Sequence, residues 1–171
     1  MEIKGSLVKL RPLSLDDLDN VMTWVNDPEV IKNFQNFDTP ITREKELEKL
    51  DVFINGGNDK LFSIFRKSDG AYIGQCGISQ ISWKNFLGRL SVFIKPEFRG
   101  QGYFQEVVPL IIEHAFSELK LHKVWVMFFK TNKRMWHLCN KLGFILEADM
   151  PDEYFWNGKY HDIIRMAKIN W

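Results

Sequence analysis

The stretch Lys95-Pro-Glu-Phe-Arg-Gly-Gln-Gly-Tyr-Phe-Gln-Glu-Val-Val108 sets Gly100 and Gly102 between an alternating apolar segment and a helical one. A turn of this kind can hold an anion. Glycine lets the backbone approach closely, and the first free N–H groups and the dipole of the following helix attract negative charge. A dinucleotide-binding turn would need a third glycine where Gln105 stands, and a phosphate loop would need Gly-Lys-Ser/Thr, which is absent. The plainer alternative is a tight strand-to-helix connection with no ligand.

Cys139 is the other residue whose type could do chemistry. A thiol with an ordinary pKa of about 8.5 is largely protonated near neutral pH and can donate a proton. Met135, Leu138, Cys139 and Leu142 fall on one helical stripe, so a buried, inert thiol is the competing reading. The histidines offer less. His137 lies off that stripe on the exposed side, His122 starts a strand, and His161 sits beside Asp162 in the last strand. No Cys, His and Asp spacing suggests a metal site, and none is expected. Ser91 and His137 lack the context of a nucleophile elbow.

The elements that must position these groups follow from periodicity. Residues 6–13 alternate as a strand, with Lys9 and Arg11 facing away from Val8, Leu10 and Pro12. Ser14 with Asp17 reads as a capping box opening a helix that buries Leu15, Leu18, Val21, Met22 and Val25 and stops at Asp27-Pro28. A second helix runs from about Thr42 to Gly56-Gly57 with Leu47, Leu50 and Ile54 on one face. Strands are expected over 60–67, 71–82 and 88–95. A long helix follows Gly102, carrying Phe104, Val108, Ile111, Ile112, Ala115 and Leu119 on one face. Pro109 should kink it. A strand over 122–130 leads to a helix over 132–142 that Gly143 caps. Two last strands, near 144–150 and 160–169, flank a turn at Asn157-Gly158. The order β-α-α-β-β-β-α-β-α-β-β implies a mixed sheet with helices on its faces.

Composition bounds the rest. The 171 residues are 45% hydrophobic and 26% charged, as in a globular domain, with neither repeat nor linker. A net charge of +1 gives no bulk electrostatic case for nucleic acid or a membrane surface, and neither partner is expected. The opening residues lack an apolar signal segment, and the longest apolar runs are too short to span a bilayer. The expectation is a cytoplasmic protein whose two cysteines, Cys76 and Cys139, are free thiols. The 14% aromatic content suits a roomy cleft and ordinary packing equally.

Two motifs together point further. Arg99-Gly100-Gln101-Gly102-Tyr103-Phe104 resembles the pyrophosphate motif of the GNAT acyltransferase superfamily, Gln/Arg-x-x-Gly-x-Gly/Ala. Residues 132–144, from Asn132 through Cys139 and Lys141 to Gly143-Phe144, resemble its second motif, Asn-x-x-Ala/Ser-x-x-Leu-Tyr-x-Lys-x-Gly-Phe. The element order is similar over essentially the whole chain. The opening residues 8–30 look like the branch of ribosomal-protein N-terminal acetyltransferases and spermidine acetyltransferases, and residues 146–166 are similar to the spermidine enzymes in particular. Phe104 departs from the usual Gly or Ala, and Cys139 from the usual tyrosine.

The resemblance implies one N-acetyltransferase domain over residues 1–171. Its fold would be a GNAT-like mixed, mostly antiparallel sheet flanked by helices, with the fourth and fifth of the expected strands splayed apart. It implies acetyl-CoA as co-substrate and direct attack by a primary amine in a ternary complex. Backbone groups of Val92, Phe93 and Ile94 would hold the pantetheine arm, and one N–H would polarise the thioester carbonyl. Arg99, Gly100, Gln101, Gly102, Tyr103 and Phe104 would surround the pyrophosphate, and Asn132 would contact the pantetheine. Lys133 and Arg134 are either partners of the outer phosphates or a solvated helix face. Cys139 is placed to protonate the leaving thiolate, with the buried thiol as alternative. A homodimer is allowed for.

The acceptor amine is left open among a peptide N-terminus, an amino sugar and a small amine, with a polyamine and a non-catalytic acyl-CoA-binding module as alternatives. By alignment, the spermidine enzymes carry acids where this chain has Gly77, Gln80 and Arg89, while Glu147, Asp149, Asp152 and Glu153 remain. The aromatic, uncharged segment 33–37 is expected to form part of the acceptor wall.

Overall fold

In the computed structural model, residues 1–31 and 40–171 are described. Among them eight strands form one sheet in the order β1-β2-β3-β4-β5-β6-β8-β7. The strands are β1 (Ile3–Lys4), β2 (Val8–Pro12), β3 (Lys60–Arg66), β4 (Tyr72–Ser82), β5 (Leu87–Ile94), β6 (Lys123–Phe129), β7 (Ile145–Trp156) and β8 (Lys159–Ile169). All neighbours run antiparallel except β5 and β6. The alternation seen in sequence sets the faces. Val8 and Leu10 are fully buried, whereas Lys9 and Arg11 point the other way.

Two helices cover one face. α4 (Tyr103–Ser117) buries Val107, Val108, Ile111, Ile112 and Ala115, and α5 (Lys133–Lys141) buries Cys139. They join Val8, Leu10, Ile64, Leu90, Ile94, Val124, Val126 and Ile164 in the main core. Each large aliphatic side chain buried there contributes about 1.5–3 kcal/mol. A second core of Leu13, Val21, Val25 and Leu50 lies under α1 (Leu18–Met22) and α3 (Arg43–Asn55). α4 runs through Pro109 without a break, so the expected kink does not end the helix.

The first helix differs from expectation. Ser14 and Asp17 do form the capping box, but it opens a 3-10 turn, Leu15–Asp17, followed only by the short α1, and a separate α2 covers Pro28–Ile31. The Thr23 hydroxyl donates to the Asn20 carbonyl at 2.6 Å, and side-chain bonding of this kind competes with helical hydrogen bonds. Trp24 is drawn out of register by the sheet: its Nε1 donates to Tyr72 Oη at 3.0 Å and its ring stacks on Phe93 at 4.2 Å.

The β5–β6 pair positions the site. Its register covers only Leu87–Arg89 against Lys123–Trp125. Beyond Arg89 the two strands part, and the rest of β5 turns one backbone edge to an open V. This is the splay expected between the fourth and fifth strands.

Candidate active site

A cleft of about 320 Å³ opens on the helix-covered side of that V. Val92, Phe93 and Ile94 line it from β5, Arg99, Gly100, Gly102, Tyr103 and Phe104 from the turn and first turn of α4, and Asn132 and Arg134 from α5. The structure therefore brings together ten of the residues singled out from sequence. Gln101 and Lys133 do not line the cleft. Gln101 instead ties the turn together, with Nε2 donating to the Glu97 carbonyl at 3.2 Å.

The turn is built to present its backbone. Gly100 and Gly102 have φ of +75° and +89°, the left-handed region that other residues adopt at a cost. A Cβ on Gly100 would meet nothing within 4 Å, and one on Gly102 only Leu7 Cδ1 at 3.9 Å, so the glycines are demanded by conformation and open space, not by crowding. Gly102 is the N-cap of α4 and no side chain caps it, which leaves the helix's first N–H groups free. Arg99 braces the arrangement from outside: Nε donates to the Ile94 carbonyl at 2.9 Å and the guanidinium lies 5.8 Å from the Phe93 ring. One turn into α4, the Glu106 carboxylate accepts from the backbone N–H groups of Ser6, Leu7 and Val8 at 2.6–3.1 Å. That clamps the β1–β2 turn against the helix.

Across the cleft, Asn132 is the N-cap of α5. Its Oδ1 accepts from the Met135 N–H at 3.1 Å, so its two amide protons remain available to a ligand carbonyl. Uncapped N–H groups, an unzipped strand edge and a free amide make a donor-rich slot for a long molecule with phosphates at one end and amides along it. Phe98, Gln105, Met135 and Leu138 also line the cleft, although none was picked out from sequence as a site residue. Met135 and Leu138 read only as core, because a stripe shared between core and cleft has the same period.

Cys139 is placed differently. It does not line the cleft; it is 2% exposed and belongs to the main core. Burial pushes its thiol up to about 11. It keeps its proton at neutral pH but is walled off, and a thiol on one carbon ends far short of where a tyrosine hydroxyl would. The geometry favours the buried-thiol reading over the proton donor.

The opposite face of the V is aromatic. Strand alternation points Arg89, Ser91 and Phe93 away from Leu90 and Ile94, towards the side where Trp24 stacks on Phe93. Trp125 and Phe129 of β6 share that face. Phe129 meets Tyr154 and His161 at 5.3 Å, and the His161 ring lies by the Trp156 carbonyl at 3.1 Å. Two of the acids near this face have partners: Glu147 pairs with Lys123 and Arg165 at 2.7 and 2.8 Å, and Asp149 with Lys130 at 2.6 Å. Residues 33–37, expected in the acceptor wall, lie outside the described residues. Among the described residues no group of His, Cys, Asp and Glu could hold a metal ion.

A family model for the acetyltransferase (GNAT) domain matches residues 8–145. The chain belongs to this family: it is an N-acetyltransferase that takes its acetyl group from acetyl-CoA and passes it to an amine. Among its relatives, the spermidine N(1)-acetyltransferase of Escherichia coli (strain K12) is 31% identical over 161 residues, 94% of this chain and 84% of that protein. The spermidine N(1)-acetyltransferase of Vibrio cholerae is 26% identical over 95% of this chain and 92% of that protein. A solved structure of the Vibrio cholerae spermidine N-acetyltransferase, in complex with CoA and spermine, matches with a TM-score of 0.86, 23% identity and 96% of each chain. Among the described residues no helix is long and apolar enough to cross a membrane.

Proposed function

We propose that this enzyme acetylates a primary amine that is not a polyamine, such as a peptide N-terminus, an amino sugar or a small monoamine. In this proposal the uncapped turn at Gly100–Gly102 takes the pyrophosphate, with Arg134 beside it. Asn132 and the free edge of Val92–Ile94 hold the pantetheine arm. The thioester then lies in the opening beyond the point where the β5–β6 pair parts, level with Phe93, the residue that lines the cleft and also stands on the aromatic face, and the amine attacks from that face. With Cys139 buried, water protonates the leaving thiolate. A cytoplasmic setting, a single domain over 1–171 and a homodimer belong to the same proposal. The dimer is supported by the edge strand β7, where Ile145, Leu146 and Phe155 are exposed.

The observation that carries the choice of acceptor is the charge on the aromatic face. A polyamine site needs unpaired carboxylates, yet Glu147 and Asp149 are neutralised by this chain's own cations. Gly77 cannot be replaced by an acid without moving the backbone, since a Cβ there would lie 2.2 Å from the Lys60 carbonyl oxygen. The polyamine reading is favoured instead by the 31% identity to a spermidine enzyme. Thiol release from acetyl-CoA across a panel of monoamines, amino sugars, peptides and spermidine decides between them. The expected result is that spermidine's kcat/KM falls below that of the best other amine. Spermidine as the best acceptor would overturn the choice, and no thiol release with any amine would leave a CoA-binding module.

A further inference from the structure

Arg89 stands at the vertex of the V, in the last residue pair before β5 and β6 separate. It is half-buried, and its guanidinium lies 5.5 Å from the Trp125 ring centre. Among the described residues no carboxylate pairs with it, and burial alone lowers its pKa. Arg165 covers the same ring at 4.0 Å but is bound to Glu147, which also serves Lys123. Two cations thus share one carboxylate beside Trp125, and among the described residues Arg89 has none. A partly desolvated guanidinium stacked on an aromatic ring, with its donors free, is suited to a planar or tetrahedral oxyanion.

The position of Arg89 says where that oxyanion belongs. Arg89 and Phe93 lie on one face of the same strand, four residues apart, a distance of about 13 Å at the rise of an extended chain. Phe93 marks the level at which the amine meets the thioester under the proposed function. An α-amino acid is too short to span this distance, because its amine and carboxylate are neighbours. An extended peptide advances about 3.3–3.6 Å per residue, so two or three residues cover most of it and the reach of the arginine covers the rest.

Resting on the reading of the chain as an amine acetyltransferase, we infer that Arg89 selects acceptors carrying an oxyanion about two or three residues of extended chain from the amine, as in a peptide N-terminus with an acidic third residue. Arg89 is a specificity-determining residue and takes no part in the bond changes.

The test uses C-terminally amidated tripeptides that differ in one group: Ala-Ala-Glu, its isostere Ala-Ala-Gln, and Ala-Ala-phosphoserine. The wild-type enzyme should favour the glutamate peptide over the glutamine peptide by about tenfold in kcat/KM, chiefly through KM. Preference for the phosphoserine peptide over the glutamate peptide would assign the oxyanion as phosphate instead of carboxylate, with the role of Arg89 upheld. Arg89→Gln should collapse the ratio to near one, and Arg89→Lys should restore part of it. Equal use of all three peptides by wild type, or an unchanged ratio in Arg89→Gln, would overturn the inference. Calorimetry of the N-acetylated tripeptides on CoA-loaded protein makes the same comparison without turnover. Failure of the amine panel would then sink the proposed function, whereas equal binding of the charged and neutral products would sink the role of Arg89 alone.

Discussion

Gly102→Val separates the strain of the phosphate turn from its binding role. At φ +89° and ψ −3° the position is left-handed, and an L side chain there costs about 1–2 kcal/mol. Space adds nothing to that cost, because the new Cβ meets only Leu7 Cδ1 at 3.9 Å. A domain of ordinary stability, about 5–15 kcal/mol, survives such a loss with Tm lowered by about 3–6 °C. Binding is another matter. A branched side chain at the N-cap stands over the free N–H groups of α4 and denies them to the pyrophosphate. Losing two hydrogen bonds to a charged group, at about 1.5–3 kcal/mol each, weakens acetyl-CoA by about 10²–10⁴-fold. Gly70→Val is the control: φ is +75°, a Cβ meets nothing within 4 Å, and the residue does not line the cleft at Gly100 and Gly102. Calorimetry and thermal melts on both variants should show similar drops in Tm but loss of affinity only for Gly102→Val. Wild-type affinity in folded Gly102→Val, or equal loss in Gly70→Val, would refute the assignment of the turn.

Two further substitutions probe residues whose roles differ from their appearance. Cys139→Ala should leave kcat within about twofold of wild type, whereas a fall of about 10²-fold in a folded variant would restore the thiol as proton donor. The same variant has a pH signature. Burial pushes the thiol up to about 11, so the stability it gives is complete below the ordinary thiol pKa and is lost as pH rises from there towards 11. Denaturant melts of Cys139→Ala should lack that component, and identical pH profiles for the two proteins would contradict the burial argument. Glu106→Gln exchanges a carboxylate that accepts from three backbone N–H groups for a single acceptor oxygen. It should cost about 1.5–3 kcal/mol in a urea melt, and an unchanged midpoint would show that the clamp on the β1–β2 turn contributes nothing.

The parts of this molecule that were legible from sequence are those settled by local chemistry. Asn157 and Gly158 take φ of +53° and +76°, as a two-residue hairpin turn requires, and the Ser14–Asp17 box closes as its spacing predicts. The glycine turn before α4 and the start of α5 at Asn132 were also readable, since they follow from backbone conformation and helix ends. What could not be read depends on contacts made far along the chain. Trp24 leaves its helix because Tyr72 and Phe93, some 50 to 70 positions later, offer a hydrogen bond and a stacking surface. The two-residue strand β1 has no periodicity to detect. Met135 and Leu138 were visible only as a stripe that also holds Cys139, and spacing alone does not tell which members of a stripe meet the cleft.

The two sides of the β5–β6 opening carry different information, and this bears on how far the kinship with spermidine enzymes extends. The side proposed to hold acetyl-CoA is made of backbone and caps: glycines in left-handed conformation, an uncapped helix and an asparagine at a helix start. Such features tolerate few substitutions, so a chain that keeps the cofactor keeps them. The side proposed for the acceptor is made of side chains standing on the odd-numbered residues of β5 and their neighbours on β6 and β8. These can change without disturbing the turn, because strand alternation points them away from the core that supports it. Among the described residues Arg89 on that side has no carboxylate partner, whereas a polyamine site would need unpaired acids. Kinship at 31% identity fits a shared reaction with acetyl-CoA, and the proposed function differs from the spermidine enzymes in the acceptor alone. A bound polyamine would have to bring its charges past Arg89 and Arg165 with no free carboxylate among the described residues around Trp125 to receive them. An acceptor bearing its own oxyanion would find that field favourable.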